Sequence, residues 1–174
     1  MTEARETFTL PGGSSFVIRK SAAETNGERV ELEITLPPGS PSPPPHFHPR
    51  QEEQWRVLDG TVEVSLGGDW RSLREGESVS IPAGQVHTIR NRSGAPARVL
   101  DIHIPALDFQ EYMEDLARLA AEGKLASLRN PRSLVYLATV LRAHRTTQLT
   151  ASRAQRAAES ALAALGRLFG ARVR

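Results

Sequence analysis

The sequence predicts a mainly β fold, an antiparallel sandwich or barrel, followed by about three α-helices. Three observations carry this. Short alternations of apolar and polar residues recur from about Thr7 to Ile104, and glycine or proline punctuates them at close intervals. Beyond Pro105 the apolar spacing changes from that of a strand to that of a helix. Between the early strands lies PPGSPSPPP, Pro37 to Pro45, which lacks most of its backbone donors and is excluded from the middle of a sheet.

In chain order, Phe16-Val17-Ile18 and Val30-Glu31-Leu32-Glu33-Ile34 read as strands. The proline-rich loop then delivers the chain to His46. Val62-Glu63-Val64-Ser65-Leu66 and Val99-Leu100-Asp101-Ile102 follow the same two-residue period. Asp59-Gly60 and Gly67-Gly68 are expected as hairpin turns, because glycine accepts the positive φ that such turns require. After Pro105, Phe109, Met113, Leu116, Leu119 and Ala120 share a helical face, with Asp108 as N-cap and Gly123 as stop. Asn130-Pro131 opens a second helix whose stripe is Leu134, Leu137, Ala138 and Leu141. A third is expected from about Thr150 to Phe169.

Composition narrows the functional classes. The chain has 174 residues, 39% of them hydrophobic and 24% charged, which fits one compact unit with an appendage and excludes a disordered polymer. With no cysteine, there are no disulfides, thiolate ligands or cysteine nucleophiles, so any metal site must use histidine, carboxylate or carbonyl. The opening MTEARETFTL shows no secretory pattern, and a cytoplasmic protein is expected. The most apolar stretch of the tail, 134–141, is far short of the roughly 20 residues that cross a bilayer, so no membrane span is expected.

Charge is uneven. Residues 1–104 carry 11 Lys/Arg against 14 Asp/Glu, and residues 123–174 carry 10 against 1. Arg142, Arg145, Arg153, Arg156, Arg167, Arg172 and Arg174 make the tail basic, yet no helix-turn-helix or stacking aromatic pattern accompanies them. Nucleic acid is therefore not an expected partner. Residues 1–106 are read as the strand-rich domain. Residues 107–174 are read as a basic helical extension packing on it or on a partner subunit.

Four of the five histidines lie between positions 46 and 103. His46 and His48 are two apart, so on an extended chain both imidazoles face one side while Phe47 faces the other. Pro49-Arg50-Gln51 reads as a bend, after which Glu53, Trp55 and Val57 share a face. A turn at Pro82-Ala83-Gly84 precedes a strand opening at His87. Three imidazoles and one carboxylate on converging strands suit a divalent transition metal, whose borderline character favours nitrogen with oxygen. Asp101 and His103 share a strand face. If that face points inward, they can orient a ligand or act as a base beside the metal. Trp55 is expected on the pocket wall or in the core, and His144, on a basic helix, in solvent.

These segments resemble the paired signature of the cupin superfamily, in particular small single-domain bacterial cupins with a helical tail. The first segment runs Gly39, six residues, His46-x-His48, four residues, Glu53, six residues, Gly60. The second runs Gly76, five residues, Pro82-x-Gly84, two residues, His87, three residues, Asn91. The second matches throughout; the first has one extra residue in the stretch after Gly39. The resemblance implies an antiparallel double-sheet jelly-roll barrel and one divalent ion per chain, of zinc, iron, manganese, nickel or copper, held by His46, His48, Glu53 and His87. It also implies a homodimer, for which the N-terminal strands near Phe8 and Phe16 are candidate edges. By its six-residue distance to Gly60, Glu53 is preferred over Glu52.

A metal with open positions next to such a site suits an oxygenase-type enzyme acting on a small oxygenated organic molecule, with Glu53 and His103 as candidate catalytic groups. A small-ligand sensor and a metal-dependent isomerase of a sugar-like substrate are the alternatives.

Overall fold

The computed structural model describes residues 6–40, 42–127, 129–168 and 170. Its strands are β1 (Thr7–Thr9), β2 (Ser15–Lys20), β3 (Val30–Leu36), β4 (His46–Phe47), β5 (Glu52–Asp59), β6 (Thr61–Leu66), β7 (Asp69–Arg74), β8 (Ser78–Ile81), β9 (His87–Arg90), β10 (Ala97–Ile104) and β11 (Leu149–Thr150). Its helices are α1 (Phe109–Ala121), α2 (Pro131–Ala143) and α3 (Arg153–Leu168). Two antiparallel sheets form, ordered β1-β2-β3-β10-β5-β8 and β11-β4-β9-β6-β7. This is the double-sheet β fold with three helices that the alternation and the period change predict.

The core lies between the sheets because each long strand alternates. In β3, Val30, Leu32, Ile34 and Leu36 are buried while Glu31, Glu33 and Thr35 are only partly so. In β10, Ala97, Val99, Asp101 and His103 are the buried set. The polar side chains therefore sit on the inward face, next to the apolar cluster that also takes in Phe109, Met113 and Leu119 of α1. One acid and one base, Asp101 and His103, buried at the end of an otherwise apolar stripe are costly unless they are paired.

Turns behave as their residues demand, with one correction. Gly67-Gly68 closes the β6–β7 hairpin, with Leu66 opposite Asp69 and positive φ at both glycines. Asp59-Gly60 is not a hairpin. It carries the chain from β5 in one sheet to β6 in the other. Alternation marks where a strand stops but not which sheet the next one joins. Gly60 has φ +79°, and a Cβ there would lie 2.9 Å from the Pro96 carbonyl oxygen and 3.1 Å from the Ala97 Cα. Gly60→Ala is expected to destabilise the fold by at least roughly 1–3 kcal/mol, the range for a strained backbone site, read by urea unfolding. An unchanged midpoint would contradict this close approach.

The helices start and stop largely as read. Asn130 caps α2 through its side chain, accepting from the Arg132 N–H, with Pro131 in the first turn. Asp108 precedes α1 but makes no side-chain cap bond; its carboxylate is taken by His144, Thr146 and Thr147. Residues 149–150, expected near the start of the third helix, form the short strand β11, and α3 begins at Arg153. Phe169, Arg172 and Arg174 lie outside the described residues. None of the described helices is long and apolar enough to cross a membrane.

Candidate metal centre

Two cross-strand pairs, one in each sheet, bring the chemistry together. In one sheet His46 on β4 lies opposite His87 on β9; in the other, Glu53 on β5 lies opposite His103 on β10. His48, just past β4, completes the group, and the intervening bend restores Glu53, Trp55 and Val57 to the inward face. One ligand atom each from His46, His48 and His87 lie within 4.8 Å of one another, and so do those from His48, Glu53 and His103. All five side chains are buried. Glu52, the alternative carboxylate, is exposed and accepts from Gln54.

Backbone carbonyls set the imidazole tautomers. Nδ1–H of His46 donates to the Pro44 carbonyl at 2.9 Å, that of His48 to Thr147 at 2.7 Å, and that of His87 to Gln85 at 2.9 Å. A carbonyl only accepts, so each Nδ1 holds the proton and each Nε2 is left to the interior. Nε2 of His48, Nε2 of His87 and Oε2 of Glu53 are buried without a hydrogen-bond partner. Nε2 of His87 nonetheless lies 2.6 Å from Oε2 of Glu53, and Nε2 of His48 lies 3.5 Å from it. Atoms that each present a lone pair at such range require a shared proton or a cation.

The protonation balance follows. Burial pushes Glu53 up, but the hydrogen-bonding contacts with His48 and His87, with His103 close behind, outweigh it and hold the carboxyl well below its usual range. Burial pushes His87 down, but the Glu53 carboxylate outweighs it and raises the ring above its usual value. Burial, then the neighbouring His87 and His48, push His46 down to about 3, so its ring is neutral. Asp101 is raised well above the carboxylate range by burial and by the charge of Glu53. The donor set of imidazole nitrogens and one ionised carboxylate, with unpartnered buried atoms facing one another, fits a divalent transition ion.

Asp101 and His103 do point inward. His103 is fully buried, stacked on Phe109 with ring centroids 3.4 Å apart. Its Nε2 lies 3.2 Å from one Asp101 oxygen and 3.5 Å from Oε1 of Glu53. Burial holds it down at about 4, so it is a neutral ring. Asp101 lines the adjoining cavity, whereas His103 stands behind Glu53 and outside the lining.

That cavity measures about 260 Å³. Its floor is His46, His48, His87, Glu53 and Asp101, and its walls include Ile34, Leu36, Trp55, Ile89, Phe109 and Met113. Among the described residues lining it, none is lysine or arginine. Pro43 and Pro44 of the proline-rich loop form part of its rim, and Thr88 donates to the Pro43 carbonyl at 2.6 Å. Asn91 is scaffold, donating to Leu36 and Ala95 and accepting from Ser93. Despite the extra residue after it, Gly39 keeps a turn at φ +66°, with its N–H on the Asn91 carbonyl.

Two kinds of participant were not legible. The α1 side chains facing the cavity read only as an apolar stripe, which says nothing of what they cover. The Thr147 carbonyl has no sequence signature. His144 corrects an expectation: it is buried, not in solvent, with Nδ1 2.7 Å from Asp108 and Nε2 3.0 Å from Asp115. The arginines around it gave the helix a basic look, but the two acids that enclose His144 come from α1 and the residue before it.

Residues 32–103 match the family model described as a cupin domain, and this part of the chain is a cupin domain. The chain is 32% identical over 77 residues to mannose-1-phosphate guanylyltransferase of Escherichia coli, covering 44% of this chain and 16% of that protein. It is 32% identical over 91 residues to tetracenomycin polyketide synthase protein TcmJ of Streptomyces glaucescens, covering 51% of this chain and 59% of that one. The chain thus spans less than two thirds of either relative, and under a fifth of the guanylyltransferase. Among solved structures, KdgF from Halomonas sp. superposes with a TM-score of 0.56 at 20% identity, covering 63% of this chain and 96% of that one.

Proposed function

We propose that this chain is a metal-dependent cupin of the oxygenase type, in which His46, His48, Glu53 and His87 hold one divalent transition-metal ion at the floor of an apolar cavity. The observation that carries the reading is the set of buried, unpartnered Nε2 and carboxylate atoms converging at that floor. When bound, the ion supplies two-point attachment and Lewis-acid activation of adjacent substrate oxygens.

The chain's own residues do the rest. The apolar walls exclude water and favour a small molecule with a ring or short hydrocarbon body. A phosphorylated sugar is disfavoured, since no described lining residue offers a cation for its phosphate. Trp55, on the same wall, keeps a buried indole N–H without a partner, which supports a substrate bearing oxygen. Glu53, on the cavity floor, would serve both as ligand and as the ionised carboxylate able to take a substrate hydroxyl proton. His103 is a positioning residue that holds Glu53 from behind. A homodimer is part of the same proposal: β1 ends its sheet, and its outer edge is available to a second copy.

The test is metal analysis of full-length protein purified without added metal, followed by oxygen-uptake assays of the metal-loaded form with catechol and flavonol. A retained ion and oxygen-dependent turnover of such compounds, with none for a sugar phosphate, are expected. Ligand binding without turnover would replace the enzyme by a binding module; absence of metal, even on titration, would overturn the reading.

A further inference from the structure

A strap formed by residues 144–151 touches the metal ligands and the helix over the cavity at the same time. At its centre Thr147 is fully buried, and its carbonyl accepts from Nδ1 of His48 at 2.7 Å, a contact spanning 99 positions of sequence. The Thr147 hydroxyl donates to Oδ1 of Asp108, and the Thr146 hydroxyl reaches the same oxygen at 3.2 Å. The other oxygen of Asp108 takes Nδ1 of His144 at 2.7 Å, while Nε2 of His144 lies 3.0 Å from Asp115, whose second oxygen accepts from Arg118. Asp108 and Asp115 border and occupy α1, which also carries cavity residues Phe109, Tyr112 and Met113.

The strap continues to the other imidazoles. Gln148 donates to the Tyr112 hydroxyl at 3.0 Å across the cavity wall. β11 then pairs with β4, placing Thr150 opposite His46, and the Ala151 N–H donates to the Pro45 carbonyl at 2.9 Å. Residues 144–147 form turns rather than a strand, so no sheet ladder fixes the Thr147 carbonyl. What fixes it is the turn bond from Thr147 N–H to the His144 carbonyl, together with the side chains gathered on Asp108.

We propose that His144 and Asp108 form a clasp that positions the metal ligand His48 through the Thr147 carbonyl, so that the metal centre is incomplete without the C-terminal strap. This rests on His48 being a ligand, as proposed above. The physical reason is directional: a ligating imidazole needs its second ring N–H held by an acceptor to keep tautomer and orientation. If the clasp opens, the carbonyl drifts and the His48 N–H is left unpaired in a dry site. The helical extension is then part of the site rather than a neighbour of it.

The test uses full-length His144→Ala, Asp108→Asn and His48→Ala, with zinc affinity read by competition against a chromophoric chelator. A second readout is the His48 tautomer in metal-free protein, from long-range proton–nitrogen correlation. His144→Ala is expected to weaken zinc binding by roughly 10–100-fold, the usual effect of losing a ligand's outer partner, and to destroy the single Nδ1–H tautomer of His48. Asp108→Asn, which keeps an oxygen for the threonine hydroxyls, should move both readouts less and in the same direction, and it carries the test if His144→Ala fails to fold. Wild-type affinity and an unchanged His48 tautomer in the clasp variants, with binding lost in His48→Ala, overturn the clasp alone. Undiminished zinc binding by His48→Ala instead overturns the ligand assignment beneath it.

Discussion

Glu53→Gln is expected to lower divalent-metal affinity by more than the roughly 10–100-fold that loss of an outer-shell partner costs, while strand content stays intact. The change keeps the shape of the side chain and removes its charge. Glu53 is the ionised carboxylate among the imidazoles at the floor of the cavity, and an amide oxygen does not replace it as a partner for a dication. In the metal-free variant, His87 should also titrate lower, because the carboxylate that raises it is gone and burial pushes the other way. The sign for the wild type follows. Metal and proton compete for the His87–Glu53 pair, so affinity falls as pH falls through the raised His87 range. Isothermal titration in two buffers, with His87 followed by NMR, checks both parts. Equal affinity in Glu53→Gln, or a His87 titration that does not move, would remove Glu53 from the centre.

Phe16→Ala is expected to cost about 3–5 kcal/mol, the range for deleting a buried phenylalanine. Phe16 is 1% exposed, lies opposite Ile34 on β3, and stacks on Phe8 with ring centroids 4.9 Å apart. Losing the ring opens a void between β2 and the core and strips Phe8, on the edge strand, of its partner. Against a urea slope of roughly 1–3 kcal/mol per molar, the unfolding midpoint should drop by at least about 1 M. A change under about 0.3 M would show that β1 and β2 contribute little to the core.

The long strands and the helix ends were open to reading because one local rule decides each of them. Val30 to Leu36 alternates and is buried on alternate residues; Asn130-Pro131 opens α2 with the bond its side chain suggests. β7 was not singled out, since Asp69–Arg74 is polar and nearly all exposed, an edge strand held by backbone pairing with β6. Sheet membership was equally hidden: Asp59-Gly60 has hairpin chemistry and makes an inter-sheet corner, because the constraint on Gly60 comes from Pro96 and Ala97, far along the chain.

The site divides in the same way. The spacing of His46, His48, Glu53 and His87 is regular enough to be noticed, and strand parity explains why all four face inward. The inward direction of Asp101 and His103 is conditional on the sequence alone, since a face with two polar residues reads as solvent-facing unless a buried site claims it. His144 and Thr147 lay beyond reach: their partners are Asp108, Asp115 and His48, and no periodicity links them.

The most direct measurement is a crystal structure of protein purified without added metal, with anomalous scattering recorded across the edges of the first-row transition metals. The expected result is one ion with Nε2 of His46, His48 and His87 and a Glu53 oxygen at roughly 2.0–2.2 Å. An ion bound elsewhere, or these four side chains turned away from a common point, would contradict it.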